Sequence, residues 1–73
     1  YELSQPAKVM LKIYNVFGQE VRTLISGKDH VAGRYDVEWN GRNDHGSQVA
    51  SGIYFYRLQA GSFTKVMKMM FIK

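Results

Sequence analysis

The sequence predicts an all-β domain, an antiparallel sandwich or a small barrel of about six or seven short strands. Three observations lead there. Apolar residues recur with a period of two along most of the chain. Turn residues break that alternation every eight to twelve positions. No segment of ten residues carries a capped apolar stripe at helical spacing. At 73 residues the chain has room for one domain, residues 1–73, and no second.

The elements follow in order. Tyr1 to Ser4 is expected to be a short leading strand before Pro6. Val9, Leu11 and Ile13 then alternate with Lys8, Met10, Lys12 and Tyr14, the pattern of a half-buried strand. Asn15-Val16-Phe17-Gly18 suits a type I turn closed by a glycine bulge. Gln19 to Ser26 returns as a strand, and Ser26 to Gly33 is expected to be a loop holding two glycines. Arg34 to Trp39 gives the cleanest alternation, with Tyr35, Val37 and Trp39 on one face and Arg34, Asp36 and Glu38 on the other.

Asn40 to Ser51 is the longest break. Asn40-Gly41 and Asn43-Asp44-His45-Gly46 are turn chemistry, since Asn, Asp and Gly bond their own backbone or accept left-handed conformations cheaply. Ile53 to Ala60 is a strong strand, with Tyr54, Tyr56 and Leu58 expected in the core and Arg57 and Gln59 toward water. Gly61 marks a tight hairpin into a last strand from Ser62 to Lys73. Met69 to Ile72 is apolar on both faces. It fits a central strand covered on both sides, or an edge strand guarded by Lys68 and Lys73. Met70 and Ile72 are assigned to the core.

Composition narrows the function. The chain has no cysteine, which excludes a disulfide framework and a thiolate zinc site. Its longest purely apolar run, Met69 to Ile72, is far short of the roughly 20 residues of a membrane-spanning helix. No signal-peptide pattern stands at Tyr1, so the chain is expected to be cytoplasmic or a piece of a longer protein. The net charge of +4 is unevenly placed: residues 1–44 hold six bases and six acids. Beyond Asp44 there are only Arg57, Lys65, Lys68 and Lys73. So thin a spread reads first as solubility and only second as a footprint for an anionic partner.

Catalytic chemistry is poorly provided. His30 and His45 fall in expected loops, each beside a carboxylate, and no nucleophile, base and orienting group are grouped. No catalytic residue, cofactor or metal ligand is assigned. Asn40, Asn43 and Asp44 lack the spacing of a calcium loop and read as turn formers. The run Tyr54-Phe55-Tyr56-Arg57 invites comparison with base-stacking sheets, but alternation splits it across two faces, and no nucleic-acid partner is expected. From these residues alone the chain is a basic β module suited to binding, anchoring or sorting.

Three stretches carry a family resemblance. They are Val9-x-Leu11-x-Ile13-Tyr14-Asn15-x-x-Gly18-x-x-Val21, then Trp39-Asn40-Gly41-Arg42-Asn43-x-x-Gly46, then Val49-Ala50-Ser51-Gly52-Ile53-Tyr54-Phe55-Tyr56 through Lys65 and Lys68 to Lys73. The chain resembles the immunoglobulin-like C-terminal sorting domain of type IX secretion cargo. That family is closely related to the immunoglobulin-like domain of the flagellar hook-capping protein. Asn40 stands where the family more often has Asp, and both residues form an Asx turn.

The resemblance implies an immunoglobulin-like antiparallel β-sandwich. Gly18, Trp39, Asn40, Gly41, Gly46, Gly52, Tyr54 and Tyr56 would define its turns and core. It also implies a passenger domain ahead of Tyr1, passage through the periplasm, and recognition by outer-membrane translocon and sortase components at the surface of a Gram-negative bacterium. Lys65, Lys68, Met69, Phe71 and Lys73 are the expected contact. The alternatives are a structural module of the hook-cap kind and a surface- or carbohydrate-attachment domain beside a glycoside hydrolase.

Overall fold

The computed structural model describes residues 1–72, so the expectation placed on Lys73 lies outside the described residues. These residues form six strands: β1 (Glu2–Leu3), β2 (Ala7–Tyr14), β3 (Glu20–His30), β4 (Gly33–Arg34), β5 (Gly52–Ala60) and β6 (Phe63–Phe71). Four of them make one antiparallel sheet in the order β3-β2-β5-β6, and β1 pairs with β4 in a second. The expected all-β, two-sheet architecture is what the chain adopts.

Alternation sets the layers. Val9, Leu11 and Ile13 of β2 stand opposite Ala60, Leu58 and Tyr56 of β5. Val9, Leu11, Leu58 and Ala60 form the buried cluster, with Tyr1 and Leu3 packed on it from the smaller layer. Tyr54 is buried as expected, and Tyr56 is half-buried beside it. Fully burying a Leu or Val side chain contributes about 1.5–3 kcal/mol, so this short set of residues carries much of the stability.

The two Asn-x-x-Gly segments are one turn made twice. In the first, the Asn15 Oδ1 accepts the backbone N–H groups of Phe17 at 2.9 Å and Gln19 at 3.0 Å. In the second, the Asn43 Oδ1 accepts those of His45 and Ser47, each at 3.0 Å. Each Asn carbonyl also takes the N–H of its glycine at 3.0 Å, and Gly18 and Gly46 sit at φ 79° and 82°. The first turn joins β2 to β3. The second stands inside the long break, with Arg42 bridged to Gln48.

Two expectations about elements fail, each for a nameable reason. The anticipated loop from Ser26 to Gly33 is mostly strand, because β3 runs on to His30. Gly27 is passed over in the pairing with β2, where Val9 faces Lys28 and Met10 faces Ser26. It adopts φ 66°, so a glycine that reads as a breaker is a β-bulge. The anticipated strand from Arg34 to Trp39 is laddered only at Gly33–Arg34. Its partner β1 is two residues long, and one further exchange, between Tyr1 and Tyr35, exhausts the pairing. The alternation survives in part: Tyr35 and Trp39 are half-buried, while Asp36, Val37 and Glu38 are exposed.

Candidate interaction strand

Among the described residues β6 is the last strand of the sheet and hydrogen-bonds to β5 alone. Its register runs unbroken through nine pairs, from Ala60↔Phe63 to Gly52↔Phe71. Period-two alternation therefore divides its side chains. Phe63, Lys65, Met67, Met69 and Phe71 lie opposite the core-facing residues of β5. Thr64, Val66, Lys68 and Met70 lie opposite Gln59, Arg57, Phe55 and Ile53 on the outer face.

The expected contact residues are thus not one patch. Met69 and Phe71 are half-buried on the inner face. Phe71 packs on Trp39 with ring centroids 5.1 Å apart, and Trp39 meets Tyr54 at the same distance. Lys65 faces the same side, whereas Lys68 projects from the other. Met70 and Ile72, assigned to the core from sequence, are 67 % and 74 % exposed. The correction has a simple cause: no layer covers the outer face at the end of an edge strand. Of the two possibilities for Met69 to Ile72, the edge strand is the one realised.

The loop residues pin this strand's end. The Asn40 Oδ1 accepts the Arg42 N–H at 3.1 Å, the Asx turn expected there. It sets Gly41 against Phe71, so closely that a Cβ on Gly41 would lie 2.1 Å from the ring. The Trp39 indole donates to the Arg42 carbonyl at 2.9 Å, and the Tyr54 hydroxyl to the Ala50 carbonyl at 2.6 Å. Gly52 pairs with Phe71 directly. Between the layers lies a groove of about 570 Å³, with Leu11, Ile13, Tyr56 and Leu58 among its lining and Tyr35 and Trp39 opposite. The Tyr1 hydroxyl is buried there without a partner, and burial raises its pKa above the ordinary tyrosine value.

At the other edge of the sheet, Asp44 is docked on β3. Its N–H donates to the Val21 carbonyl at 3.1 Å, and its Oδ1 accepts the Thr23 N–H at 3.0 Å. The Arg22 Nε stands 3.7 Å from the same oxygen. Sequence reading treated Asp44 as a turn former and missed this role. Nothing local signals it, because the contact spans 21 residues.

Among the described residues no catalytic grouping emerges. His30 packs edge-on against Tyr35, its centroid 4.7 Å away, near one end of β3. The turn holding His45 docks near the other end, about 30 Å along at strand rise. The Oδ1 atoms of Asn40, Asn43 and Asp44 are each committed to backbone N–H groups. Among the described residues no three His, Asp or Glu side chains are grouped to hold a metal ion. No described helix is long and apolar enough to cross a membrane.

Two antiparallel layers and a core built by alternation are the architecture of an immunoglobulin-like β-sandwich. The sequence profile of the FlgD Ig-like domain matches residues 1–63, and the chain belongs to that family. The match ends at Phe63, the first residue of β6. No curated protein and no solved structure matches the chain.

Proposed function

We propose that this chain is a non-catalytic structural module, an immunoglobulin-like unit that holds protein parts together, with β6 as its contact strand. The observation that carries the reading is the free edge of β6. It offers nine residues of sheet edge, seven of them exposed, on a fold whose other chemistry is spent on turns and core. An unpaired strand edge is a template for another chain.

A second reading is kept for one observation, the basic character of the same strand. Lys65 and Lys68 on an exposed edge strand suit the type IX sorting role, in which an outer-membrane translocon recognises the domain and carries its passenger to the cell surface.

One experiment separates the two. A fluorescent reporter with an export signal is fused ahead of residues 1–73 in a bacterium with type IX machinery. The structural reading expects the fusion to stay in the periplasm, within complexes larger than itself on size exclusion. The sorting reading expects fluorescence at the surface or in the medium, lost on charge reversal at Lys65 and Lys68. A retained fusion that runs as a monomer overturns both.

A further inference from the structure

We infer that the outer edge of β6 is a strand-addition site for an extended acidic segment of another protein, with acids three residues apart. The inference deepens the structural reading above and rests on it.

Geometry comes first. In an antiparallel ladder alternate residues bond to one neighbour, so the remaining N–H and C=O groups of an end strand point outward. β6 has no bulge and no proline across nine paired residues, so those groups form a straight row. Added strands gain affinity from such main-chain bonds and specificity from side chains at alternate positions.

Charge selects the occupant. From His45 onward the sequence has four bases and no acid. Among the described residues neither Lys65 nor Lys68 makes an ion pair. The two lysines are three positions apart, so they lie on opposite faces of the sheet. A strand laid beside β6 places its own residues in the same alternation. Its acids must therefore also be three apart, with two apolar residues between them beside Val66 and Met67.

The molecule supplies a working precedent at its other edge. Asp44 meets β3 with a backbone N–H on Val21, a carboxylate on the Thr23 N–H, and Arg22 alongside. An acid anchored on a sheet edge beside a base is what the inference asks of β6.

A second copy of this chain does not fit. Its acids are Glu2, Glu20, Asp29, Asp36, Glu38 and Asp44, and no two are three apart. Its β6 brings only further cations, and the two-fold antiparallel registers centred on Lys65 or on Lys68 set that lysine against its own copy. The lysines thus discourage self-pairing and admit an acidic strand.

The test uses the full chain, isotope-labelled, titrated with the peptide Thr-Thr-Asp-Val-Val-Asp-Thr-Thr. We expect saturable amide shifts confined to β6 and its β5 neighbours, with new hydrogen-exchange protection at alternate β6 amides. Moving the acids two apart puts one of them on the wrong face and should weaken binding by up to about fivefold, as expected for the loss of one surface ion pair. The Lys65→Glu, Lys68→Glu double variant should lose the acidic peptide and accept its lysine counterpart. That exchange of preference is a readout a merely unfolded variant cannot give. No saturable shift, shifts confined to the inter-layer groove, or equal binding by a peptide N-methylated along one edge would each overturn the inference. Failure here with β6-dependent complexes in the fusion experiment removes the acidic strand and leaves the structural reading. Peptide binding with a monomeric, retained fusion does the reverse.

Discussion

The two edges of the four-stranded sheet are finished in different ways. β3 is long and irregular: its pairing with β2 shifts register three times across eleven residues, once at the Gly27 bulge. Bulges twist an edge away from flatness. Asp44 then occupies the Val21 carbonyl and the Thr23 N–H from outside. β6 has none of this, being straight, evenly paired and open along its length. Its one protection is charge, Lys65 on one face and Lys68 on the other. Proteins blunt edges with bulges, covering loops and charges, and here the first two stand at one edge and the third at the other. A covered edge is closed to every partner, whereas a charged edge is closed only to partners of like charge. That difference is the ground for proposing β6, and not β3, as the side on which this domain meets other molecules.

The largest expected effect concerns how β6 is held. Gly41→Ala places a methyl carbon within 2.1 Å of the Phe71 ring at a backbone φ of +74°. Overpacking and left-handed strain together should cost about 3 kcal/mol. Gly18→Ala is the matched control, since its φ is +79° but nothing lies within 4 Å of the added carbon. That substitution should cost about 1 kcal/mol, the backbone component alone. Urea denaturation of both variants measures the gap. Equal costs would mean that Phe71 does not fasten the end of β6 to the loop.

A smaller effect comes from baring the other edge. Asp44→Ala removes the acceptor from the Thr23 N–H and the partner from Arg22. The contact is exposed, so the loss should be about 1 kcal/mol, with faster hydrogen exchange at the Thr23 amide. Asp44→Asn keeps an acceptor oxygen and should retain most of the stability. With its plug gone, β3 becomes the more β6-like edge, and Asp44→Ala should associate more readily at high concentration. If sedimentation finds it as monomeric as the parent chain, bulging alone protects β3.

The same contrast explains what could be read from the sequence. β2, β5 and the β5–β6 hairpin were legible because alternation and turn residues are local signals. Asn15 to Gly18 and Asn43 to Gly46 were legible as turns for the same reason, as was the core face of Tyr54, Tyr56 and Leu58. Gly27 was misread because a bulge is a property of two strands, and its partner lies at Val9 and Met10. The run from Arg34 to Trp39 alternates well, yet its ladder is limited by the length of β1. Met70 and Ile72 were placed inside because apolar side chains report a preference for burial, not whether a layer exists to bury them. The candidate site was half legible: its strand and its lysines were named, but their division between two faces requires the register with β5. The guarding of β3 by Asp44 rests on a contact between distant residues and had no sequence signal.

The smallest effect probes the inner face behind β6. Tyr1 stacks on Tyr35 with centroids 5.3 Å apart, and its buried hydroxyl has no partner. Burial first, and Tyr35 second, raise its pKa above the ordinary 10.0. The fold therefore favours the neutral phenol more than the unfolded chain does. The stability this contributes is complete below pH 10 and is lost as pH rises through the folded pKa. Tyr1→Phe keeps the stacked ring and has nothing to ionise. At pH 7 it should be at least as stable as the parent chain, since the deletion removes a buried hydroxyl that bonds nothing. Above pH 10 the variant should become the more stable of the two, the gap widening with pH. Thermal melts at pH 7 and along an alkaline series measure both arms. A gap that stays constant across the series would show that the hydroxyl ionises as freely in the fold as in the open chain. The space behind β6 would then be wet, and its hold on the inner face of that strand would rest on the contact of Phe71 with Trp39 and Gly41.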